Sequence, residues 1–118
     1  MEITKFSDLL VWQKSKTLTI LLFESIQTMN YSYKDQILRA CLSISNNIAE
    51  GFGRYSPKEF IRYLNIAKGS NDEVQSMILI GKELKFFKEE NVRFLFILTV
   101  EINKMITSLI KNLKTKIK

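Results

Sequence analysis

Histidine is absent from the 118 residues, and cysteine occurs once, at Cys41. A ferritin-like di-iron site needs Glu-x-x-His pairs on facing helices, so that chemistry is excluded. Zinc is disfavoured for the same reason, with no imidazole and one thiolate available. No metal or cofactor is expected. A lone cysteine cannot close a disulfide within the chain, which points to a reducing, cytoplasmic setting. Proline occurs once and glycine four times. So few breakers favour helices over a sheet with many turns. The longest unbroken apolar run, Phe94 to Leu98, has five residues. That is too short to cross a bilayer, and no membrane association is expected. Residues 1–5 show no basic region followed by an apolar run, so no signal peptide is expected either.

Acidic residues are missing from 111–118, which hold Lys111, Lys114, Lys116 and Lys118. The other 110 residues carry 14 basic and 12 acidic groups, so most of the net charge of +6 sits at this end. Such a tail meets phosphates or serves as a solubilising cap. Hydrophobic residues make up 46% of the chain, enough for one domain around one core.

Hydrophobic spacing predicts four helices. The first runs from about Ser7 to Met29, capped by Ser7 or Asp8, with Val11, Ser15, Leu18, Leu22, Ile26 and Met29 on one face. The second runs from about Tyr33 to Phe52, with Ser32 as cap and Ile37, Cys41, Ile44, Ile48 and Phe52 in line. Its opposite stripe, Gln36, Arg39, Ala40, Ser43, Asn47 and Glu50, is polar but poor in long charged chains. A purely solvated face more often carries Lys and Glu. Gly51 and Gly53 suit a left-handed helix stop. Ser56, Pro57 and Glu59 then have the form of a capping box. The third helix runs from Pro57 to about Leu84, with Phe60, Tyr63, Leu64, Ala67, Val74, Met77, Ile78 and Leu84 inward. Ser70 falls on that apolar side and needs a partner. Ala67, Gly69 and Ser70 are small enough to let a neighbouring helix close in. The fourth runs from about Asn91 to Leu113, with Leu95, Leu98, Ile102, Ile106, Leu109, Leu113 and Ile117 as its seam. Phe96, Ile97 and Val100 fall outside that seam and are read as a subunit interface. Short joins make the whole an all-α, antiparallel up-down-up-down four-helix bundle of one domain, residues 1–118.

Reactive groups are few. Glu50 and Glu73 would form a carboxylate pair if helices two and three bring them together. The structural alternative bonds Glu50 to Asn47, Ser43, Ser70 or the ends of the turn. Cys41 lies on an apolar face with no base near it in sequence. Gly51-Phe52-Gly53-Arg54 follows no strand and is neither a Walker loop nor a dinucleotide fingerprint. The four tyrosines are not interleaved with a basic run, so packing suits them better than base stacking. Arg93, Lys104, Lys111 and Lys114 share one side of helix four and make a basic strip.

Three segments carry a resemblance: Phe6-Ser7-Asp8-Leu9-x-Val11-Trp12-Gln13-Lys14; Gln36-x2-Arg39-Ala40-x2-Ser43-Ile44-x2-Asn47-Ile48-Ala49-Glu50-Gly51-Phe52-Gly53-Arg54; and Ile66-Ala67-x-Gly69-Ser70-x2-Glu73. Together they resemble the four-helix bundle family that includes proteins encoded in intervening sequences of bacterial 23S ribosomal RNA genes. That family also includes accessory variability proteins of diversity-generating retroelements. Cys41 and Asn71-Asp72 depart from its usual pattern. The resemblance implies a homo-pentamer with a basic surface and, for the retroelement branch, nucleic acid and a reverse transcriptase as partners. It gives Gln36, Ser43, Asn47, Glu50, Ser70 and Glu73 a structural role. The expected activity is non-enzymatic binding of RNA or DNA, with Arg39, Arg54, Arg93, Lys104, Lys111, Lys114 and Lys116 as contacts. The alternative is a protein-interaction adaptor without nucleic-acid contact.

Overall fold

The computed structural model describes residues 2–117, so Lys118 of the basic tail lies outside the described residues. A 3-10 turn, Phe6–Asp8, leads into four helices: α1 Leu10–Ser25, α2 Tyr31–Phe52, α3 Pro57–Glu83 and α4 Glu89–Lys114.

The entry to α1 differs from expectation. Ser7 and Asp8 are spent in the 3-10 turn, where Asp8 and Leu9 donate their amides to Lys5 and Phe6, and Leu9 precedes the helix without a side-chain cap. The exit differs too. α1 stops at Ser25 rather than near Met29 because another backbone competes for the chain. Gln27 donates its amide to the Phe86 carbonyl at 2.7 Å, and Lys88 donates back to the Ser25 carbonyl at 2.9 Å. Ile26 and Phe87 thereby form an antiparallel bridge. Met29, expected in the core, is 96% exposed as a result.

α2 begins two residues early. Asn30, not Ser32, is the cap, its Oδ1 accepting the Tyr33 amide at 3.0 Å. Its end corrects the glycine reading. No described glycine has a positive φ, whereas Tyr55 and Lys85 do, at 55° and 60°. Gly51 stays helical and buried. It is small because α3 passes close by: a Cβ there would stand 2.6 Å from the Tyr63 Cβ. The start of α3 is as expected, with Pro57 in the first turn and Ser56 Oγ accepting the Glu59 amide at 3.3 Å. The expected close approach at Gly69 is absent, since a Cβ there would meet nothing within 4 Å.

Leu18, Leu22, Ile37, Ile44, Ile48, Leu64, Ile78, Leu95, Ile102 and Ile106 fill the core along the expected seams. Leu84 and Ile117, placed in those seams from sequence, lie just past the ends of α3 and α4 and are exposed. Phe86 and Phe87 close the bundle at the α3–α4 connection, where Leu84 was placed, stacking edge-on to Tyr33 at 4.8 and 6.3 Å.

Each helix touches two others. The pairs α1–α2, α2–α3, α3–α4 and α1–α4 are in contact, while the diagonals α1–α3 and α2–α4 are not. Gln36 bonds to Glu73 and Ser43 to Ser70, so sequence falls along α3 as it rises along α2. Ser25 with Asn91 and Lys14 with Glu101 show the same antiparallel relation for α1 and α4. The α1–α2 and α3–α4 connections share one pole, and the α2–α3 turn occupies the other. The result is an up-down-up-down bundle measuring 48 × 25 × 20 Å.

Candidate nucleic-acid interface and the polar motif of helices two and three

Helical spacing puts the motif residues of α2 on a stripe facing α3, and the structure divides them into three local units. Near the shared pole, Gln36 donates from Nε2 to Glu73 at 3.1 Å. At mid-length, the Ser70 hydroxyl donates to Ser43 Oγ at 2.9 Å, and Asn47 Nδ2 donates to the same oxygen at 3.0 Å and to the Ser43 carbonyl at 2.8 Å. This supplies the partner that the position of Ser70 demanded. At the far turn, Arg54 donates to Glu50 at 2.8 Å and to the Tyr63 hydroxyl at 2.7 Å.

Glu50 and Glu73 therefore belong to different units, and no carboxylate pair forms. Of the partners weighed for Glu50, the turn is the one it has. The Arg54 guanidinium beside it holds its carboxyl below the ordinary range. Arg54 is not a free contact: its guanidinium also lies 5.2 Å from the centre of the Tyr63 ring, and that of Arg62 lies 4.5 Å from it. Cys41 is buried against Thr19, 3.3 Å from its hydroxyl. Burial pushes the thiol up to about 11, with the Thr19 bond acting the other way. A thiol so raised supplies almost no thiolate at neutral pH. Among the described residues no group of three or more Cys, Asp or Glu is placed to hold a metal.

The cations of α4 and of the turn just after it are arranged differently. Arg93, Lys104, Lys111, Lys114 and Lys116 are all exposed. Arg93 to Lys114 covers ~30 Å of helix. Glu101 is the one acid between Arg93 and Lys116, and Lys14 of α1 pairs with it at 3.4 Å. None of the five cations makes an ion pair among the described residues. Arg39 is exposed as well but stands apart, on α2, in a cleft with Asp35 and Glu73.

Of the off-seam apolar residues, Ile97 is 43% exposed, while Phe96 and Val100 are half-buried. Ile97 joins Leu10, Phe94, Leu98 and Met105 in a groove of about 790 Å³ between α1 and α4. Leu10 and Phe94 escaped the sequence reading. Both lie off the predicted seams, and that displacement is the signal that marks them. Among the described residues no helix is long and apolar enough to cross a membrane.

A crystallised protein of unknown function from the S23 ribosomal protein family, from Bacteroides thetaiotaomicron, superposes with a TM-score of 0.76. It is 27% identical, and the alignment covers 86% of this chain and 99% of that one. No curated protein matches the chain. The model of the 23S rRNA-intervening sequence protein family matches residues 7–108, across all four helices. With that match and the same bundle in a solved structure, the chain belongs to the 23S rRNA-intervening sequence protein family.

Proposed function

We propose that this chain is a non-enzymatic, self-associating cytoplasmic bundle that binds RNA or DNA along the outer side of α4. The observation that carries this reading is the set Arg93, Lys104, Lys111, Lys114 and Lys116, which makes no ion pair among the described residues, with one already paired acid among them. A row of free cations on a rigid helix neutralises phosphates in series and releases their counterions. Self-association, with a pentamer as the proposed assembly, rests on the apolar groove beside that row.

Filter binding of a single-stranded and a duplex oligonucleotide at two salt concentrations tests the first part. Affinity falls steeply with salt, and replacing Lys104, Lys111 and Lys114 together by Ala flattens the slope by about 2–3 units. No binding at low salt removes the proposal. Sedimentation tests the second part: the wild type sediments as a multimer, and Ile97→Lys breaks it.

A further inference from the structure

The cleft between α2 and α3 has the opposite character to the α4 edge. It encloses about 470 Å³ and is open to solvent. Two carboxylates, Asp35 and Glu73, face it against one guanidinium, Arg39, so its formal charge is −1 in a chain of +6. The Tyr31 ring stands at its rim, 78% exposed. Arg39 makes no ion pair among the described residues, although Asp35 lies one turn away. The floor is small: Ala40, Ser43 and Ser70.

That floor has a spare donor. Ser43 and Ser70 own two hydroxyl hydrogens, and their mutual bond uses one. Asn47 supplies another hydrogen to Ser43, so whichever serine donates, one O–H of the pair has no acceptor among the described residues. The cleft thus offers two anionic acceptors and an aromatic face beside donors that want an oxygen. A phosphate chain would meet the two carboxylates, which argues against nucleic acid here. A lysine or arginine residue within a peptide supplies both halves. Its side-chain cation suits Asp35, Glu73 and the Tyr31 ring. Its main-chain carbonyl suits Arg39 and the spare hydroxyl.

We propose that this cleft binds a lysine- or arginine-bearing segment of a partner protein. The α2–α3 side lies across the bundle from the α1–α4 side, so both faces can be occupied at once. The proposal stands whether or not α4 binds nucleic acid.

Fluorescence anisotropy with a labelled twelve-residue Arg/Gly/Ser peptide tests it, with a Glu/Gly/Ser peptide as control. The basic peptide binds and the acidic one does not. Asp35→Asn with Glu73→Gln weakens binding at least about tenfold, while Arg39→Ala, which removes the competing cation, tightens it. Oligonucleotide binding by the double variant is unchanged. Glu73→Gln alone, which keeps an oxygen for Gln36, serves if the double variant fails to fold. Absence of binding, indifference to these substitutions, or equal affinity for free arginine each overturns the proposal.

Discussion

Asn71 donates from Nδ2 to the main-chain carbonyl of Thr99 at 2.8 Å, and both residues are fully buried between α3 and α4. Gln75 adds a bond to the Thr99 hydroxyl at 3.0 Å. The Asn71 Oδ1 has no partner among the described residues. A neutral hydrogen bond returns ~1 kcal/mol, and a stranded buried acceptor costs ~1–3 kcal/mol, so the amide gains little net stability. Asn71→Leu, of similar size, is therefore expected within about 1 kcal/mol of wild type in urea unfolding. Asn71→Asp puts a carboxylate against a carbonyl and costs ~3–5 kcal/mol at pH 7. Burial raises the folded-state pKa of that carboxyl, so this loss shrinks as the pH falls toward 5.

Gly51 and Gly69 both sit inside helices, and opposite outcomes are expected on replacing them. At Gly51 a Cβ would come 2.6 Å from the Tyr63 Cβ and 2.9 Å from a Phe60 ring carbon. The better helix propensity of alanine, ~1 kcal/mol, is then outweighed by overpacking, and Gly51→Ala loses ~1–3 kcal/mol. At Gly69 the added methyl meets nothing, so Gly69→Ala gains up to ~1 kcal/mol. Thermal unfolding of the two variants under one buffer checks the pair.

Cys41 predicts an alkaline weakening. Its pKa rises from an ordinary 9.0 to about 11 in the folded chain because burial disfavours the thiolate. Between those values the unfolded chain has released a proton that the folded chain keeps. Stability is full below pH 9 and is lost as the pH climbs toward 11. By pH 10 the wild type loses about 1 kcal/mol through this group. Cys41→Ala is less stable at pH 7 for want of packing but lacks this part of the slope. Denaturant midpoints at pH 8, 9 and 10 for both proteins separate the two effects.

The helices and their inward faces were legible because each seam recurs at three and four residues over many turns. Leu18, Ile44, Leu64 and Ile102 are buried where periodicity put them. What escaped depends on contacts between distant segments. Nothing near Ser25 foretells that the 86–88 backbone will take its carbonyl and end α1. Nothing near Asn71 foretells a polar partner at Thr99, 28 positions away. The motif of α2 and α3 was found, but its grouping was not. Glu50 and Glu73 share it in sequence, yet helix length places them in separate units.

The end of α3 supplies the last expectation. The Lys85 amide donates to the Lys82 carbonyl at 3.1 Å and the Phe86 amide to the Gly81 carbonyl at 2.9 Å. These two bonds are the Schellman pattern, and it requires a left-handed residue, here Lys85 at φ 60°. Glycine is usual at that place because a Cβ crowds the neighbouring carbonyl, at a cost of ~1–2 kcal/mol. Lys85→Gly relieves the strain but adds freedom to the unfolded chain, for a net gain of ~0.5–1 kcal/mol. Lys85→Ala keeps the strain and leaves stability nearly unchanged, since the lysine side chain is exposed. Lys85→Val is worst, because a branched Cβ tolerates that backbone least. The order Gly, then Lys with Ala, then Val, read from melting temperatures, checks the assignment. A flat series would mean that Lys85 carries no left-handed strain in solution.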